Sequence, residues 1–359
     1  MRHYNIPIFI PHLGCPFDCI FCDQKKISST LEIPNVENIK TIIENHLKTI
    51  PYKDSYVELA FFGGSFTAID ENLQNDYLLA VQEYLEQKKI KGIRISTRPD
   101  FIDESILKRL KSYGVITIEL GVQSLVDDVL ENSGRDYNSD TVKRACNIIK
   151  EYGFTLGVQL MIGLPGDSKD LSIKTAKEAV TLNPDMVRLY PTIVIANTTL
   201  DEMFKEKKYN PLTVNESVEI CKKMLLIFEV NKIKVIRLGL YPGEDLRTEG
   251  VISAGPFHPS FGEIVEQEIY KDQLAMLIDM FFTKYHKSKI IKIHVNPRNI
   301  SKLVGKKRRN ITILMERYKL KNILINQNED IDNNTIGIGF QDKSEPLMQL
   351  SRNEFVNLA

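Results

Sequence analysis

The chain has 359 residues, of which 43% are hydrophobic and 26% charged, a balance that supports a sizeable packed core and excludes a disordered or collagen-like polymer. Its 47 basic and 47 acidic residues cancel to a formal charge of zero, so no whole-molecule field draws in a polyanion and any such site must be local. No apolar run approaches the ~20 residues of a membrane span, and the opening Met1-Arg2-His3-Tyr4-Asn5-Ile6-Pro7 lacks the apolar core of a secretion signal. The expected location is the cytoplasm, with no membrane partner.

Strands are predicted at Ile6–Ile10, Val57–Phe62, Ile93–Ser96, Val115–Val122, Thr155–Ile162, Met186–Tyr190 and Val235–Leu238, with amphipathic helical stretches such as Asn72–Gln87, Asp103–Ser112 and Asp140–Tyr152 between them. This alternation implies βα units around a parallel sheet. A full or partial TIM-type (β/α) barrel and an open doubly wound sheet both fit, and periodicity does not choose. The stretch Tyr241–Phe261, with Pro242, Gly243, Gly250, Gly255, Pro256 and Pro259, breaks the rhythm and reads as a connector over the mouth of the sheet. A helix over Glu263–Tyr285 and a compact βααβ pattern to about Asn326 follow. The expected organisation is therefore an α/β core over residues 1–240, a connector over 241–262 and a small α+β domain over 263–359.

Of five cysteines, Cys15, Cys19 and Cys22 fall within eight residues, while Cys146 and Cys221 stand alone in helix-like segments. An odd count argues against a disulfide framework, and the solitary pair reads as small buried hydrophobes. Three clustered thiols point to a metal. At x3 and x2 spacing on a loop after the first strand, they can reach three irons of one cubane and leave the fourth open to a small molecule. The alternative is a structural zinc on the same thiols plus His12, for which no second Cys/His pair stands nearby. Asp18 and Asp23 read as solvated neighbours.

The string Cys15-Pro16-Phe17-Asp18-Cys19-Ile20-Phe21-Cys22, with an aromatic before the third cysteine, resembles the signature of the radical S-adenosylmethionine (SAM) superfamily. The resemblance implies an oxygen-sensitive enzyme with a [4Fe-4S] cluster on Cys15, Cys19 and Cys22. SAM chelates the unique iron, and an electron from a protein such as flavodoxin or ferredoxin releases a 5′-deoxyadenosyl radical. Barrel sites assemble at the C-terminal ends of strands, and polar strings stand there: Phe62-Gly63-Gly64-Ser65, Ser96-Thr97-Arg98-Pro99-Asp100, Glu119-Leu120-Gly121-Val122-Gln123-Ser124 and Ile162-Gly163-Leu164-Pro165-Gly166. Paired glycines admit close backbone approach, although Gly-Gly alone is only a turn and Ser124 is equally a helix cap. By the resemblance, Phe21 with Gly163, Leu164 and Pro165 flanks adenine, Gly63, Gly64 and Ser65 meet the methionyl ammonium, and Gln123 and Arg98 serve the ribose and carboxylate.

Across residues 5–240, Ser96-Thr97-Arg98-Pro99-Asp100, Glu119-Leu120-Gly121-Val122-Gln123-Ser124, Arg188-Leu189-Tyr190-Pro191-Thr192 and Tyr209 are similar to the radical SAM domain of the Elongator catalytic subunit. That family modifies wobble uridine in tRNA. The chain departs from it in a shorter first cysteine gap, in Arg188 where Elongator has Lys, and in Arg135-Asp136-Tyr137 where Elongator has Arg-Gly-His. The residues after 240 carry no acetyl-CoA pyrophosphate loop, which points to a short, bacterial-type relative without acetyltransferase domain.

Ile291, Ile293 and Val295 alternate as a strand, and Leu303-Val304-Gly305-Lys306-Lys307-Arg308-Arg309-Asn310-Ile311 joins two helical patterns. This string resembles a KH domain, whose Gly-x-x-Gly turn clamps a nucleic-acid backbone. Arg308 stands where the motif has its second glycine. Arg298, Lys302, Lys306, Lys307, Arg308 and Arg309 lie within twelve residues with no acid between, so the turn either contacts RNA phosphate or is a solvated cap. His258, in a rigid Gly/Pro/Phe loop, either closes on a substrate or turns a packing corner. The expected function is radical SAM modification of an RNA, with a tRNA base as the preferred substrate. The alternatives are a small-molecule radical SAM enzyme of the coproporphyrinogen-oxidase-like kind and a non-catalytic RNA-binding protein with structural zinc.

Overall fold

The computed structural model describes residues 2–10, 19–23, 33–240 and 244–358; His12, Cys15 and Asp18 lie outside the described residues. The elements run β1 (Arg2–Ile10), α1 (Val36–Leu47), β2 (Ser55–Gly63), α2 (Glu71–Glu86), β3 (Gly92–Thr97), α3 (Glu104–Ser112), β4 (Val115–Gln123), α4 (Asp127–Asn132), α5 (Ser139–Glu151), β5 (Thr155–Ile162), α6 (Lys169–Thr181) and β6 (Met186–Pro191). They continue with β7 (Val194–Ile195), α7 (Thr199–Lys205), α8 (Val214–Val230), β8 (Lys234–Leu238), α9 (Glu244–Arg247), β9 (Ile252–Ala254), α10 (Phe261–Lys284), β10 (Ile290–Val295), α11 (Ile300–Val304), α12 (Arg309–Tyr318), β11 (Asn322–Gln327), β12 (Thr335–Phe340), β13 (Met348–Ser351) and α13 (Arg352–Leu358). Most helices of the first half begin where a short polar side chain accepts from a free backbone N–H: Asn35, Asp70, Asp103, Asn138, Ser168 and Thr198. Among the described residues no helix is long and apolar enough to cross a membrane.

The chain divides into two compact units, Met1–Ile220 with Ile233–Pro259, and Cys221–Lys232 with Ser260–Ala359. In the first, seven strands pair in parallel in the order β1-β2-β3-β4-β5-β6-β8. The order follows the chain without reversal, which excludes the doubly wound alternative. Among the described residues β1 and β8 do not pair with each other, so the barrel is partial. One face is apolar: Val57, Leu59 and Phe61, Ile93 and Ile95, Leu156, Val158 and Leu160 are buried, and Phe61 stacks on Tyr77 of α2.

The opposite face carries charge. Arg94 reaches Glu58 (Nη2 to Oε2, 2.5 Å) and Glu119 (Nη1 to Oε1, 2.6 Å). Arg188 Nε lies 2.6 Å from Glu119 Oε2, and Gln159, Thr117 and His3 complete the carboxylates' contacts. Two carboxylates and two guanidiniums cancel in a layer spanning β2 to β6, which is what permits their burial. Gly157 makes room for it, since a Cβ there would stand 2.7 Å from Glu119 Cγ.

In the second unit the four-stranded sheet runs β11-β10-β12-β13. β10 and β11 are parallel, with α11 and α12 between them in the chain, as the βααβ pattern predicts. β12 and β13 extend this sheet antiparallel, beyond the predicted pattern. The long helix α10 buries Ile269, Tyr270, Leu274, Leu277, Ile278 and Phe281.

Candidate functional site

Cys19 is buried, and its neighbours fix where it lies. Ile20 N–H donates to Ser133 O at 3.4 Å and Leu200 N–H donates to Ile20 O at 2.8 Å, tying the segment to the end of α4 and the start of α7. Cys22 N–H closes a turn onto Cys19 O at 2.9 Å. Two guanidiniums converge on the Cys19 sulfur: Arg135 Nη1 at 3.3 Å and Arg98 Nη1 at 3.7 Å. Arg98 follows β3 directly and forks onto Asp100 through Nε and Nη2, both at 2.9 Å. Arg135 donates Nη2 to Gly121 O at 2.7 Å, an acceptor it shares with the Tyr137 hydroxyl at 2.8 Å. Both guanidinium carbons stand 5.3 Å from the Tyr137 ring. Burial pushes the Tyr137 hydroxyl up to about 12, so it stays a neutral donor.

Among the described residues the charges around Cys19 do not balance without an anion. Arg98 is paired by Asp100, but among the described residues Arg135 has no carboxylate within ion-pair range, and its buried Nε has no acceptor. A desolvated cation of this kind requires a negative neighbour, and the donor set beside it is sulfur. The residues present therefore fit a thiolate-ligated, anionic metal cluster. Among the described residues no three His, Cys, Asp or Glu side chains converge on a metal; Cys15 and His12 lie outside them.

The other predicted site residues line strand ends. Gly63 has φ +109°, and a Cβ there would stand 2.3 Å from Ile10 O. Gly64 N–H donates to the same oxygen at 3.0 Å. The steric demand for glycine at 63 thus comes from the last residue of β1, directly before the cysteine loop. Gly64 and Ser65 are buried beside it. Gln123 takes φ +64° at the bulge ending β4. Gly163, at φ +74°, donates its N–H to Asp167 Oδ2 (2.8 Å) and accepts from the Tyr209 hydroxyl (2.5 Å). Gly163, Leu164 and Pro165 line a cavity of about 230 Å³ together with Asp167 and Tyr209. Burial outweighs the hydrogen bonds to the Asp167 carboxyl and raises its pKa above the ordinary value. Phe21 and His258 are half-buried. Ser124 does not cap α4; its hydroxyl accepts from Val126 N–H at 3.1 Å, two residues on. Cys146 and Cys221 are fully buried, as the hydrophobe reading expects.

In the second unit, Lys306, Lys307, Arg308 and Arg309 are exposed on one turn. Gly305 (φ +73°), Lys307 (φ +51°) and Arg308 (φ +63°) all have positive φ. Arg308 thus adopts the left-handed backbone that the motif's second glycine would supply. Asn310 Nδ2 donates to Gln267 O at 2.8 Å and Lys306 N–H to Gln267 Oε1 at 3.3 Å, fixing the turn to α10. Arg309 and Lys302 face Glu268 and Glu266 at 4.0 and 3.7 Å. Among the described residues no carboxylate pairs with Lys306, Lys307 or Arg308.

Sequence reasoning missed the roles of Asp100, Arg135 and Tyr137. Arg135-Asp136-Tyr137 was visible only as a departure from a family string, because nothing local links Arg135 to a cysteine 116 positions earlier.

Two family models match the chain: "Radical SAM superfamily" over residues 9–179 and "Radical_SAM C-terminal domain" over residues 184–271. A tRNA uridine(34) acetyltransferase of Methanocaldococcus infernus is 25% identical over 248 residues, 60% of this chain and 46% of that protein. An uncharacterized protein of Methanocaldococcus jannaschii is 31% identical over 231 residues, 60% of this chain and 69% of that protein. Elongator complex protein 3 of Saccharomyces cerevisiae is 27% identical over 202 residues, 50% of this chain and 36% of that protein. The chain spans between 36% and 52% of the tRNA uridine(34) acetyltransferases it matches. Among solved structures, that of the archaeal Methanocaldococcus infernus Elp3 with an N-terminal deletion (1–46) superposes with a TM-score of 0.60 at 24% identity, covering 75% of this chain and 63% of that one.

Proposed function

Because the chain belongs to the radical SAM superfamily, whose enzymes use a [4Fe-4S] cluster and SAM, we propose that Cys15, Cys19 and Cys22 hold the cluster and that the enzyme modifies a base in tRNA. When bound, cluster and SAM together supply a 5′-deoxyadenosyl radical by one-electron cleavage of the sulfonium. The observation that carries the reading is the convergence of Arg98 and Arg135 on the buried Cys19 sulfur, at the strand ends where sites of this architecture assemble.

The protein's part is positioning and exclusion of water. Arg98 and Arg135 hold Cys19 and offset thiolate charge. The strand end at Gly63, Gly64 and Ser65 receives the methionyl ammonium, the Gly163-Leu164-Pro165 turn with Phe21 receives adenine, and Gln123 the ribose. Asp100 fixes the direction of the Arg98 guanidinium, so that residue serves the sulfur side of the site more than the SAM carboxylate. Residues 1–240 carry this chemistry, with 241–262 as connector. Residues 263–359 offer the exposed Lys306–Arg309 turn to an RNA backbone, electrostatically and through its basic side chains. Relatives described as tRNA uridine(34) acetyltransferases support an RNA substrate. The reductant is a flavodoxin- or ferredoxin-type protein, and the compartment is the cytoplasm.

The test is anaerobic incubation of the reconstituted protein with dithionite, SAM and total tRNA, following 5′-deoxyadenosine by chromatography and tRNA nucleosides by mass spectrometry. Both should change together. A protein that binds one zinc and no iron rejects the reading, and 5′-deoxyadenosine without any altered nucleoside rejects its tRNA half.

A further inference from the structure

We propose that Arg135 is a positioning residue that supplies the uncompensated positive charge beside Cys19 and thereby sets the reduction potential of the cluster. The inference rests on the cluster assignment above and adds a role for a residue outside the cysteine motif.

Three observations single out Arg135 from its neighbours. Its guanidinium lies nearer to the Cys19 sulfur than that of Arg98, at 3.3 against 3.7 Å. Arg98 is neutralised by its two bonds to Asp100, whereas the acids that share a surface cavity with Arg135, namely Asp127, Glu131 and Asp136, are exposed and beyond ion-pair range. Finally, Arg135 cannot swing away. Its Nη2 is bonded to Gly121 O at 2.7 Å and its planar group stands over Tyr137. A Cβ at Gly121 would stand in ordinary contact with Nη2, at 3.4 Å, so the guanidinium packs directly against this strand end.

A fixed cation and an N–H aimed at a cluster sulfur favour the state with one more electron, because the added negative charge interacts with both. The electron comes from the ferredoxin- or flavodoxin-class reductant. At Arg135 no bond forms or breaks and no proton moves, since a guanidinium stays protonated. Arg98, already paired, contributes hydrogen bonding with little net charge.

The experiment compares wild type with Arg135→Gln and Arg135→Lys after anaerobic reconstitution, reading iron and sulfide content and the midpoint potential by electron paramagnetic resonance. Gln keeps an N–H donor without charge; Lys keeps charge without the fork. Arg135→Gln is expected to shift the balance toward the oxidised cluster at least tenfold, which is 59 mV more negative for a one-electron couple, while Arg135→Lys stays closer to wild type. A fully loaded Arg135→Gln protein with an unmoved potential overturns the proposal. Should Arg135→Gln fail to load iron, loading restored by Arg135→Lys supports the need for charge, and failure of both assigns the residue a shape role and overturns it. A wild type that takes up no cluster sinks the function proposed above instead.

Discussion

Replacing Arg94 with Met should cost the N-terminal unit about 3 kcal/mol of unfolding free energy. Arg94 is 2% exposed and joins two carboxylates that are themselves about 1% exposed. Breaking a buried pair by removing one partner costs roughly 3–5 kcal/mol because a charge is left behind. The lower end applies here, since Glu58 keeps Thr117 at 2.7 Å and His3 at 2.6 Å, and Glu119 keeps Arg188 at 2.6 Å and Gln159 at 3.1 Å. Adding Glu58→Gln removes the surplus charge and should restore about 1–2 kcal/mol, within the range of couplings between contacting residues. The penalty also has a pH signature. Burial pushes the Glu119 carboxyl up, but Arg188 and Arg94 outweigh it and hold the group below its ordinary 4.5. A depressed folded value means stability that is present above the unfolded pKa and lost as pH falls through the folded one. The Met variant loses part of that depression, so its stability fails at higher pH, and its deficit against wild type narrows once Glu119 is protonated. Urea unfolding followed by circular dichroism at pH 7.5 and at acid pH reads both effects. A deficit under about 1 kcal/mol at pH 7.5, or one that Glu58→Gln does not relieve, would refute the reasoning.

Three further outcomes are expected. Gly63→Ala combines a φ of +109° with a Cβ 2.3 Å from Ile10 O. It should cost at least about 2 kcal/mol and lower iron loading with it; a melt and iron content equal to wild type would count against the strand-end geometry. Burial pushes the Cys146 thiol up to about 12 and the Cys221 thiol higher still, so neither should be alkylated by iodoacetamide at pH 8 until denaturant is added, as peptide mass spectrometry can check. Lys306→Glu with Lys307→Glu should weaken tRNA binding and flatten the salt dependence of log K by about 0.7 per lost phosphate contact; filter binding across salt concentrations measures the slope, and an unchanged slope removes the turn from the interface.

Much of the architecture was legible because its signals are local. Thr155–Ile162 is a strand over the predicted residues, and the Asp103 and Asn138 caps mark helix starts within a residue of expectation. The choice between barrel and doubly wound sheet was not local. Both have the same periodicity, and only the unreversed strand order decides. The charged layer was illegible for a related reason. Glu58, Arg94, Glu119 and Arg188 each occupy an alternating polar position that reads as solvent-facing, and their partners stand 25 to 69 positions away. The strand β12 was hidden by Gly337 and Gly339, which weaken strand propensity; a Cβ at Gly337 would stand 2.8 Å from Pro346. The cysteine string carried the cofactor reading through its resemblance to a known signature, while the counter-charge to Cys19 required the fold.

The interrupted order of the units bears on biosynthesis. Residues 221–232 leave the ribosome ahead of β8, yet they pack with a unit whose remainder begins at Ser260. At roughly 5–20 residues per second, the nascent chain carries Met224, Leu225 and Phe228, all buried in the finished molecule, for several seconds before their companions emerge. That interval leaves an apolar helix face open to chaperones, and a gene fragment starting at residue 260 would encode an incomplete fold.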